Sequence, residues 1–167
     1  MSSSADTATT DMTGTRDAWA TPARLRSLPS RLLTQTAMHA DRLVNQGLAG
    51  ADARKWHYAV LAALQEFGPA SQAALSRRTG IYRSDLVAVT NELAGRGLIE
   101  RAPDPDDRRR NVITLTPQGR RYLRRLDKLV ATLQDDLLAP LTQPERDQLI
   151  RLLSRLLDHH APAAPAP

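Results

Sequence analysis

Two short helical segments, each followed by a glycine, stand directly before a charged hairpin in this chain. Residues 71 to 80 begin with Ser71, a residue type that caps helix N-termini, and end with Gly80, which can adopt the left-handed conformation beyond a helix. Apolar positions at steps of three and four predict a second helix over residues 83 to 96, ended by Gly97. Only a tight turn fits between the two, which is typical of a helix-turn-helix. The apolar positions of the second helix are Leu86, Val89 and Leu93.

The segment after Gly97 is predicted to form a β-hairpin. Strands over residues 98 to 101 and 112 to 116 flank a loop of acids and arginines. The predicted fold is therefore mostly α with a small β-hairpin wing, a winged helix-turn-helix, whose second helix lies in the DNA major groove. Arginine there can read guanine, asparagine can read adenine, and methyl groups can touch thymine. The exposed line of that helix holds the candidate DNA contacts Arg83, Ser84, Asp85, Val87, Ala88 and Asn91.

Further helices flank this lobe on both sides. They are predicted over residues 28 to 46, ended by Gly47, and over residues 52 to 67. After the wing, Thr116 caps a helix with a leucine seam, and residues 142 to 145 form a capping box that opens the last helix. Leucine-rich faces at both ends exceed what the middle portion can cover, so we expect a homodimer with N- and C-terminal dimerisation helices.

The sequence predicts two mobile tails that flank a folded region. We expect a mobile N-terminal tail over residues 1–27, in which residues 16 to 28 can form a short helix around Trp19, and a mobile Pro/Ala tail over residues 161–167. Neither tail can bury enough apolar surface to offset its ordering entropy. Between them we expect a dimerisation helix over 28–50, a winged helix-turn-helix lobe over 51–119, and C-terminal dimerisation helices over 120–160.

Positive charge is concentrated at the predicted wing. Lysine and arginine number 23 against 18 acidic residues, a formal net charge of +5. The stretch from Arg96 to Arg125 holds nine arginines and four acids, so the whole excess lies there. Arg108, Arg109 and Arg110 adjoin one another at the hairpin tip, where DNA phosphates and the adjacent minor groove would offset their mutual repulsion. The alternative is a solubilising loop with no partner.

The wing resembles the signature of the MarR family of multiple-antibiotic-resistance-type regulators. That signature is Asp-x-Arg, four residues, and a strand ending in Leu-Thr-x-x-Gly. Here residues 107 to 109 are followed by residues 110 to 113 and by the sequence TLTPQG over residues 114 to 119. Residues 68 to 104 resemble the family's helix-turn-helix throughout, and a less specific resemblance extends over residues 28 to 158.

This resemblance implies a homodimer that binds a pseudo-palindromic operator with two recognition helices and two wings. Arg109 would be the wing arginine that enters the minor groove, and Asp107 the carboxylate that orients it. Two departures stand in this sequence, because Tyr82 occupies a position where the family often has an aspartate cap, and Val87 and Ala88 replace polar groove contacts. Operator specificity would then depend on Arg83, Ser84, Asn91 and DNA shape.

Aromatic and histidine side chains form a candidate ligand site. His39 lies on the first helix, and Trp56, His57 and Tyr58 adjoin one another on the second. The resemblance implies an effector cavity between the dimer helices and the DNA-binding lobe, and a protonated histidine there could bind an acidic aromatic effector. The alternative is that these four residues are ordinary core aromatics and hydrogen-bonded histidines.

The sequence favours neither an enzyme nor a metalloprotein. It has no cysteine, and it contains no nucleophile elbow, phosphate-binding glycine loop or HExxH-like pair. A zinc sensor using His39 and His57 would lack diagnostic ligand spacing, so we expect neither a metal nor a cofactor. No apolar run approaches the roughly 20 residues of a membrane span, and the first 25 residues lack the apolar region of a secretory signal, so we expect a cytoplasmic protein.

We therefore expect a DNA-binding transcriptional regulator, specifically a repressor released from its operator by a small phenolic or aromatic acid. Two alternatives remain open at this point. One is a constitutive or architectural double-stranded DNA-binding protein that has no effector. The other is a winged helix that binds protein partners, which would show no salt-dependent DNA affinity.

Overall fold

The structure, a computed structural model, describes residues 22–103 and 111–161. The chain divides into two compact units, residues 1–39 and 40–167, and the boundary falls within the second helix. In the described ranges, no helix is long and apolar enough to cross a membrane. The first helices are α1 (Ala23–Arg26) and α2 (Pro29–Ala49).

The predicted helix-turn-helix is confirmed, and its glycines and cap have the expected conformations. The Ser71 hydroxyl accepts a hydrogen bond from the N–H of Ala74 at 3.3 Å, which caps the first helix of the pair. Gly80 follows that helix with a φ of 70°, and Gly97 follows the second with a φ of 66°. The left-handed backbone at these positions favours glycine. The helices of this region are α3 (Lys55–Phe67), α4 (Gln72–Thr79) and α5 (Arg83–Gly95).

The wing belongs to a three-stranded antiparallel sheet with the order β1-β3-β2. Strand β1 was not predicted, because two residues are too few to show an alternating pattern; it pairs Ala70 with Ile113 of β3. The β2–β3 ladder ends at the pair Pro103–Asn111. Residues 104–110, which connect those strands, lie outside the described residues. The strands are β1 (Ala70–Ser71), β2 (Ile99–Pro103) and β3 (Asn111–Leu115).

Both predicted C-terminal helix starts are confirmed. The Thr116 hydroxyl accepts the N–H of Gly119 at 2.9 Å, and the Glu145 carboxylate accepts the N–H of Thr142 at 2.8 Å. Gly119 is also needed for space, because a Cβ there would collide with the carbonyl oxygen of Leu98. The helices are α6 (Pro117–Leu137) and α7 (Gln143–His160).

The prediction that Gly47 ends its helix is wrong. Helix α2 continues to Ala49, and Gly47 is a packing residue: a Cβ there would lie 2.5 Å from Cδ2 of Leu133 on α6. A helical glycine can therefore mark a close approach of two helices as well as a helix end.

The hydrophobic core lies in the second unit, between the sheet and helices α3, α4, α5 and α6. Helix α7, by contrast, has no buried residue within its described range: Leu149 and Leu153 are half-buried, and Ile150, Leu152, Leu156 and Leu157 are exposed. Of the predicted tails, residues 1–21 and 162–167 lie outside the described residues. The fully buried large side chains of the core include Leu48, Leu61, Leu75, Leu86, Leu93, Ile113 and Leu126.

Candidate nucleic-acid interface

Helix α5 presents one face to the core and the other to solvent. Leu86 and Leu93 are fully buried and Val89 is 4% exposed, so the apolar stripe predicted from the sequence anchors the helix. The N-terminal residue before the helix, Tyr82, gives no side-chain cap and is itself exposed. The structure brings together on the outer face the exposed predicted contacts Arg83, Ser84, Asp85, Val87, Ala88 and Asn91.

The buried hydroxyl of Thr90 joins three elements behind that face. It donates to the carbonyl oxygen of Leu86 at 2.8 Å within α5. It accepts from the guanidinium of Arg101 on β2 and from the side-chain amide of Gln72 on α4, the latter at 3.4 Å. A buried hydroxyl with partners on several elements holds them in one arrangement, because leaving any of those groups unpaired is costly. Thr90 therefore fixes the wing strand relative to α5.

A cleft of about 640 Å³ opens in front of Thr90, between α4, α5 and the sheet. Its cationic lining residues are Arg77 of α4, Arg83 of α5 and Arg101 of β2, and no acidic side chain is among the described lining residues. We call it the basic cleft. Three arginines that line one cleft with no carboxylate among the described lining residues favour an external anion, and phosphate is an anion that arginine binds with two hydrogen bonds. The described lining residues are Ser71, Gln72, Ala73, Arg77, Arg83, Val87, Arg101, Asn111 and Ile113.

Sequence reasoning identified only part of this cleft. It named Arg83 and Val87 but missed Arg77, Arg101 and Asn111, which come from three other segments and converge only in the folded chain. Alternation along β2 was the available signal for Arg101, since Ile99 is buried and Arg101 is two residues further along the strand. The predicted wing-tip residues Asp107, Arg108, Arg109 and Arg110 lie outside the described residues, so their roles stay predictions.

A second cleft, of about 420 Å³, lies by the C-terminal half of α5. Its central contact joins Glu92 of α5 to Arg54 and His57 at the start of α3. One oxygen of the Glu92 carboxylate accepts from the Arg54 guanidinium and is 2.9 Å from Nε2 of His57. We call this the Glu92 cleft. Its lining is Ala49, Asp52, Ala53, Arg54, His57, Glu92 and Arg96.

The His57 ring is buried and its tautomer follows from its neighbours. The backbone N–H of Arg54 points at Nδ1, 3.3 Å away, so Nδ1 accepts and the ring proton belongs on Nε2, which donates to Glu92. Burial lowers the pKa of His57 below its ordinary value of 6.5, so the neutral ring predominates at pH 7. The hydrogen bond from Arg54, and then that from His57, lowers the pKa of Glu92. A neutral donor and a guanidinium thus share one carboxylate.

The wall of the Glu92 cleft is fixed by Arg96 and Tyr122. Arg96 donates to the carbonyl oxygen of Asp52 at 2.8 Å and stacks on the Tyr122 ring, 4.8 Å from its centroid. The Tyr122 hydroxyl donates to the carbonyl oxygens of Ala51 and Asp52, both at 2.9 Å. These contacts stabilise the turn at Asp52, whose φ of 53° is unusual for a residue with a side chain.

The four predicted ligand-site residues occupy different surroundings. His57 alone lines the Glu92 cleft. Trp56 is partly exposed beneath the Lys55 ammonium, and the Tyr58 hydroxyl donates to Asp127 at 3.1 Å, where burial and then this hydrogen bond raise the pKa of Tyr58. His39 is exposed on α2 within the N-terminal unit. Sequence reasoning missed Arg54 and Glu92, whose separation along the chain gives no periodic signal.

Comparison with known proteins agrees with the winged helix-turn-helix and its wing. Residues 52–110 match the sequence model of the MarR family. The PcaV transcriptional regulator of Streptomyces coelicolor, solved in complex with its natural ligand, is 30% identical, with a TM-score of 0.71 over 83% of this chain and 98% of PcaV. The chain belongs to the MarR family.

Two further proteins extend this comparison. A mutant of MarR from E. coli, solved in complex with operator DNA, is 25% identical, with a TM-score of 0.70 over 82% of this chain and 99% of that protein. A Thauera aromatica protein named as a transcriptional regulatory protein for the hcr operon is 41% identical over 95 residues, 56% of this chain. The chain covers 57% of that relative's length, which is less than two thirds.

Proposed function

We propose that this MarR-family chain is a repressor that binds a pseudo-palindromic DNA operator as a homodimer and is released by a small aromatic acid. The observation that carries the proposal is the basic cleft, which joins three guanidinium groups to the exposed face of α5. Residues 51–119 would be the DNA-binding lobe. Within it, α5 would enter the major groove, and Arg108, Arg109 and Arg110 would contact phosphates and the adjacent minor groove, with Asp107 orienting Arg109.

Dimerisation through residues 28–50 and 120–160 is supported by the surface of α7. Its exposed apolar side chains include Ile150 at 58% and Leu157 at 73% exposure, and a row of such side chains along one helix favours burial against a second copy. A dimer would set its two recognition helices about 34 to 36 Å apart, the separation of successive major grooves. A ligand that changes this separation would weaken operator binding.

Release by an aromatic acid is supported by the Glu92 cleft, which offers apolar walls and a guanidinium next to the recognition helix. It is also supported by PcaV, a relative solved with its natural ligand. The sequence suggested a protonated histidine near an acidic effector. His57 is the candidate ligand residue that lines this cleft, but burial lowers its pKa and so disfavours the protonated form. Effector-binding roles for His39, Trp56 and Tyr58 remain part of the proposal, although these three residues do not line one cleft.

The test is selection of bound duplexes from a random DNA pool, followed by titration of the winning duplex with salt and with aromatic acids. We expect a two-fold-symmetric consensus, an affinity that falls steeply with salt, and release by at least one acid. Similar affinity for all sequences would instead identify an architectural protein. Binding that ignores salt, or no DNA binding, would identify a protein-interaction module. Sequence-specific binding that no acid weakens would identify a constitutive regulator.

A further inference from the structure

The Glu92 carboxylate occupies a ready-made carboxylate receptor. Its oxygen is held by the guanidinium of Arg54 and faces Nε2 of His57 at 2.9 Å. His57 is 4% exposed, whereas the side chain of Glu92 retains 44% exposure. The receptor is therefore built into the start of α3, and the carboxylate that fills it reaches in from α5 through solvent-accessible space.

Space for a small molecule adjoins this receptor. The Glu92 cleft has a volume of about 420 Å³, within the roughly 300 to 1,000 Å³ of small-molecule sites. Ala49 and Ala53 contribute methyl groups to its wall, and Arg96 adds a second guanidinium. The other acid in the lining, Asp52, has a side chain that is 92% exposed, so water screens its charge.

We propose that the Glu92 cleft binds small monocarboxylates, and that the ligand carboxylate replaces Glu92 on Arg54 and His57. The exchange substitutes one carboxylate for another, so the receptor keeps its charge balance and no proton needs to be taken up. His57 is neutral in this exchange and donates its Nε2 proton to the ligand as it does to Glu92. The methyl groups of the wall would cover the apolar part of the ligand.

The exchange would act on α5 because Glu92 lies on that helix. Once displaced, Glu92 no longer connects the C-terminal half of α5 to the start of α3, and the helix that carries Arg83 and Asn91 loses one of its positional restraints. This consequence rests on the proposed function, since it matters only if α5 reads DNA. The binding of a carboxylate at Arg54 does not depend on that function.

A built-in competitor has a measurable signature. While Glu92 occupies the receptor, only the fraction of molecules with an open receptor can bind ligand, and the apparent affinity is reduced by that fraction. Glu92→Gln removes the competing charge but keeps the side-chain size. We expect this variant to bind ligand about tenfold more tightly, which a misfolded protein could not do.

The experiment titrates the full chain with benzoate, 4-hydroxybenzoate and 4-hydroxybenzamide by calorimetry. We expect binding of the two carboxylates and none of the amide, tighter binding by Glu92→Gln, and at least tenfold weaker binding by Arg54→Gln. Matched controls are Glu66→Gln and Arg124→Gln, which change exposed residues outside the cleft and should leave ligand affinity unchanged. Circular dichroism melting shows whether each variant folds.

The possible outcomes separate a failure of the carboxylate site from a failure of the proposed function. Equal binding of amide and carboxylate, no binding of either carboxylate, or no gain of affinity in Glu92→Gln overturns the site. Release of operator DNA by these acids that persists unchanged in Arg54→Gln also overturns the site, while the proposed function stands. Arg54-dependent binding that leaves DNA affinity unchanged supports the site and overturns the proposed release by ligand.

Discussion

The two clefts beside α5 contain similar cationic groups in opposite electrostatic settings. In the basic cleft, Arg77, Arg83 and Arg101 line the surface without a described acidic neighbour in the lining. In the Glu92 cleft, Arg54 is paired with Glu92, and Arg96 lies 3.3 Å from a carboxylate oxygen of Asp52. The arginines of the basic cleft thus have no carboxylate among the described lining residues, whereas those of the Glu92 cleft are paired with carboxylates.

The difference shows that arginine content alone does not locate a nucleic-acid surface. A guanidinium paired with a carboxylate inside the fold contributes to local structure, and it binds an external anion only by exchange. A guanidinium without such a partner attracts phosphate directly, and its contribution weakens with salt. Substitutions in the two clefts should therefore have separable effects on DNA affinity and on stability.

The largest effect on DNA binding is expected for Arg101→Ala. The substitution removes a cation from the basic cleft and the hydrogen bond to Thr90, and should weaken operator binding by about 1 to 3 kcal/mol. Arg96→Ala, in the Glu92 cleft, should instead lower the free energy of unfolding by about 1 kcal/mol, because it removes the contacts to Asp52 and Tyr122. Fluorescence anisotropy with a labelled operator and urea unfolding measure the two effects. Equal losses of DNA affinity in Arg101→Ala and Arg96→Ala would contradict the proposed difference between the two clefts.

Thr90→Val should lower the free energy of unfolding by roughly 1 to 2 kcal/mol, because Arg101 and Gln72 lose their buried acceptor while the side-chain volume is kept. Thr90→Ser retains the hydroxyl and serves as the matched control. Urea unfolding of both variants measures the difference. If serine and valine are equally destabilising, the hydroxyl does not connect the wing to α5.

Arg77→Ala should cost about 1 kcal/mol of operator affinity and reduce the salt slope by about one, as expected for one lost phosphate contact. Arg77→Lys keeps the charge and should largely restore the slope. The measurement is the operator dissociation constant at several salt concentrations. An unchanged slope in Arg77→Ala would place this arginine outside the DNA contact surface.

The smallest effect expected is a pH dependence of stability due to His57. Its pKa is lowered by burial in the folded chain, so the unfolded chain binds the proton first as the pH falls. The stability contribution is complete above the ordinary pKa of 6.5 and is lost as the pH falls through the lower folded value. Urea unfolding between about pH 5 and pH 8 should show this loss.

His57→Asn should flatten that dependence, whereas His159→Asn, at an exposed histidine of α7, should keep it. The lowered pKa of Glu92 acts in a separate window, below its ordinary value of 4.5, where loss of its charge removes the bonds to Arg54 and His57. A dependence that is identical in the wild type and His57→Asn would assign the titration to another group.

Local rules predicted the helix-turn-helix accurately. Ser71, Gly80 and Thr116 act on the backbone within a few residues of their own positions. Helix starts and ends at these residues can therefore be predicted without knowledge of the tertiary structure. In the leucine seam of α6, Leu123 and Leu126 pack in the core, and Leu133 is buried against Gly47 of α2. Gly47 failed because the same residue type also permits close helix packing, and only the position of Leu133 distinguishes the two uses.

The clefts were less predictable because each is assembled from distant segments. Arg101 meets Thr90 through pairing of the wing with α5, and Glu92 meets Arg54 through packing of α5 on α3. No periodic pattern in the sequence predicts either contact. Adjacency in the sequence gave a wrong grouping instead, because Trp56, His57 and Tyr58 are consecutive residues whose side chains lie in different surroundings. Proximity along a helix is a poor guide to a shared pocket.

The joint at Thr116 has a mechanical consequence. Its hydroxyl donates to the carbonyl oxygen of Gly97 at 2.8 Å and accepts the N–H of Gly119, while Gln118 donates to the carbonyl oxygen of Arg96 at 3.2 Å. The end of α5, the root of the wing and the first turn of α6 are thereby clamped together with no room for a side chain at Gly119. A rotation of α6 about its own axis would therefore move the wing and α5 together with it.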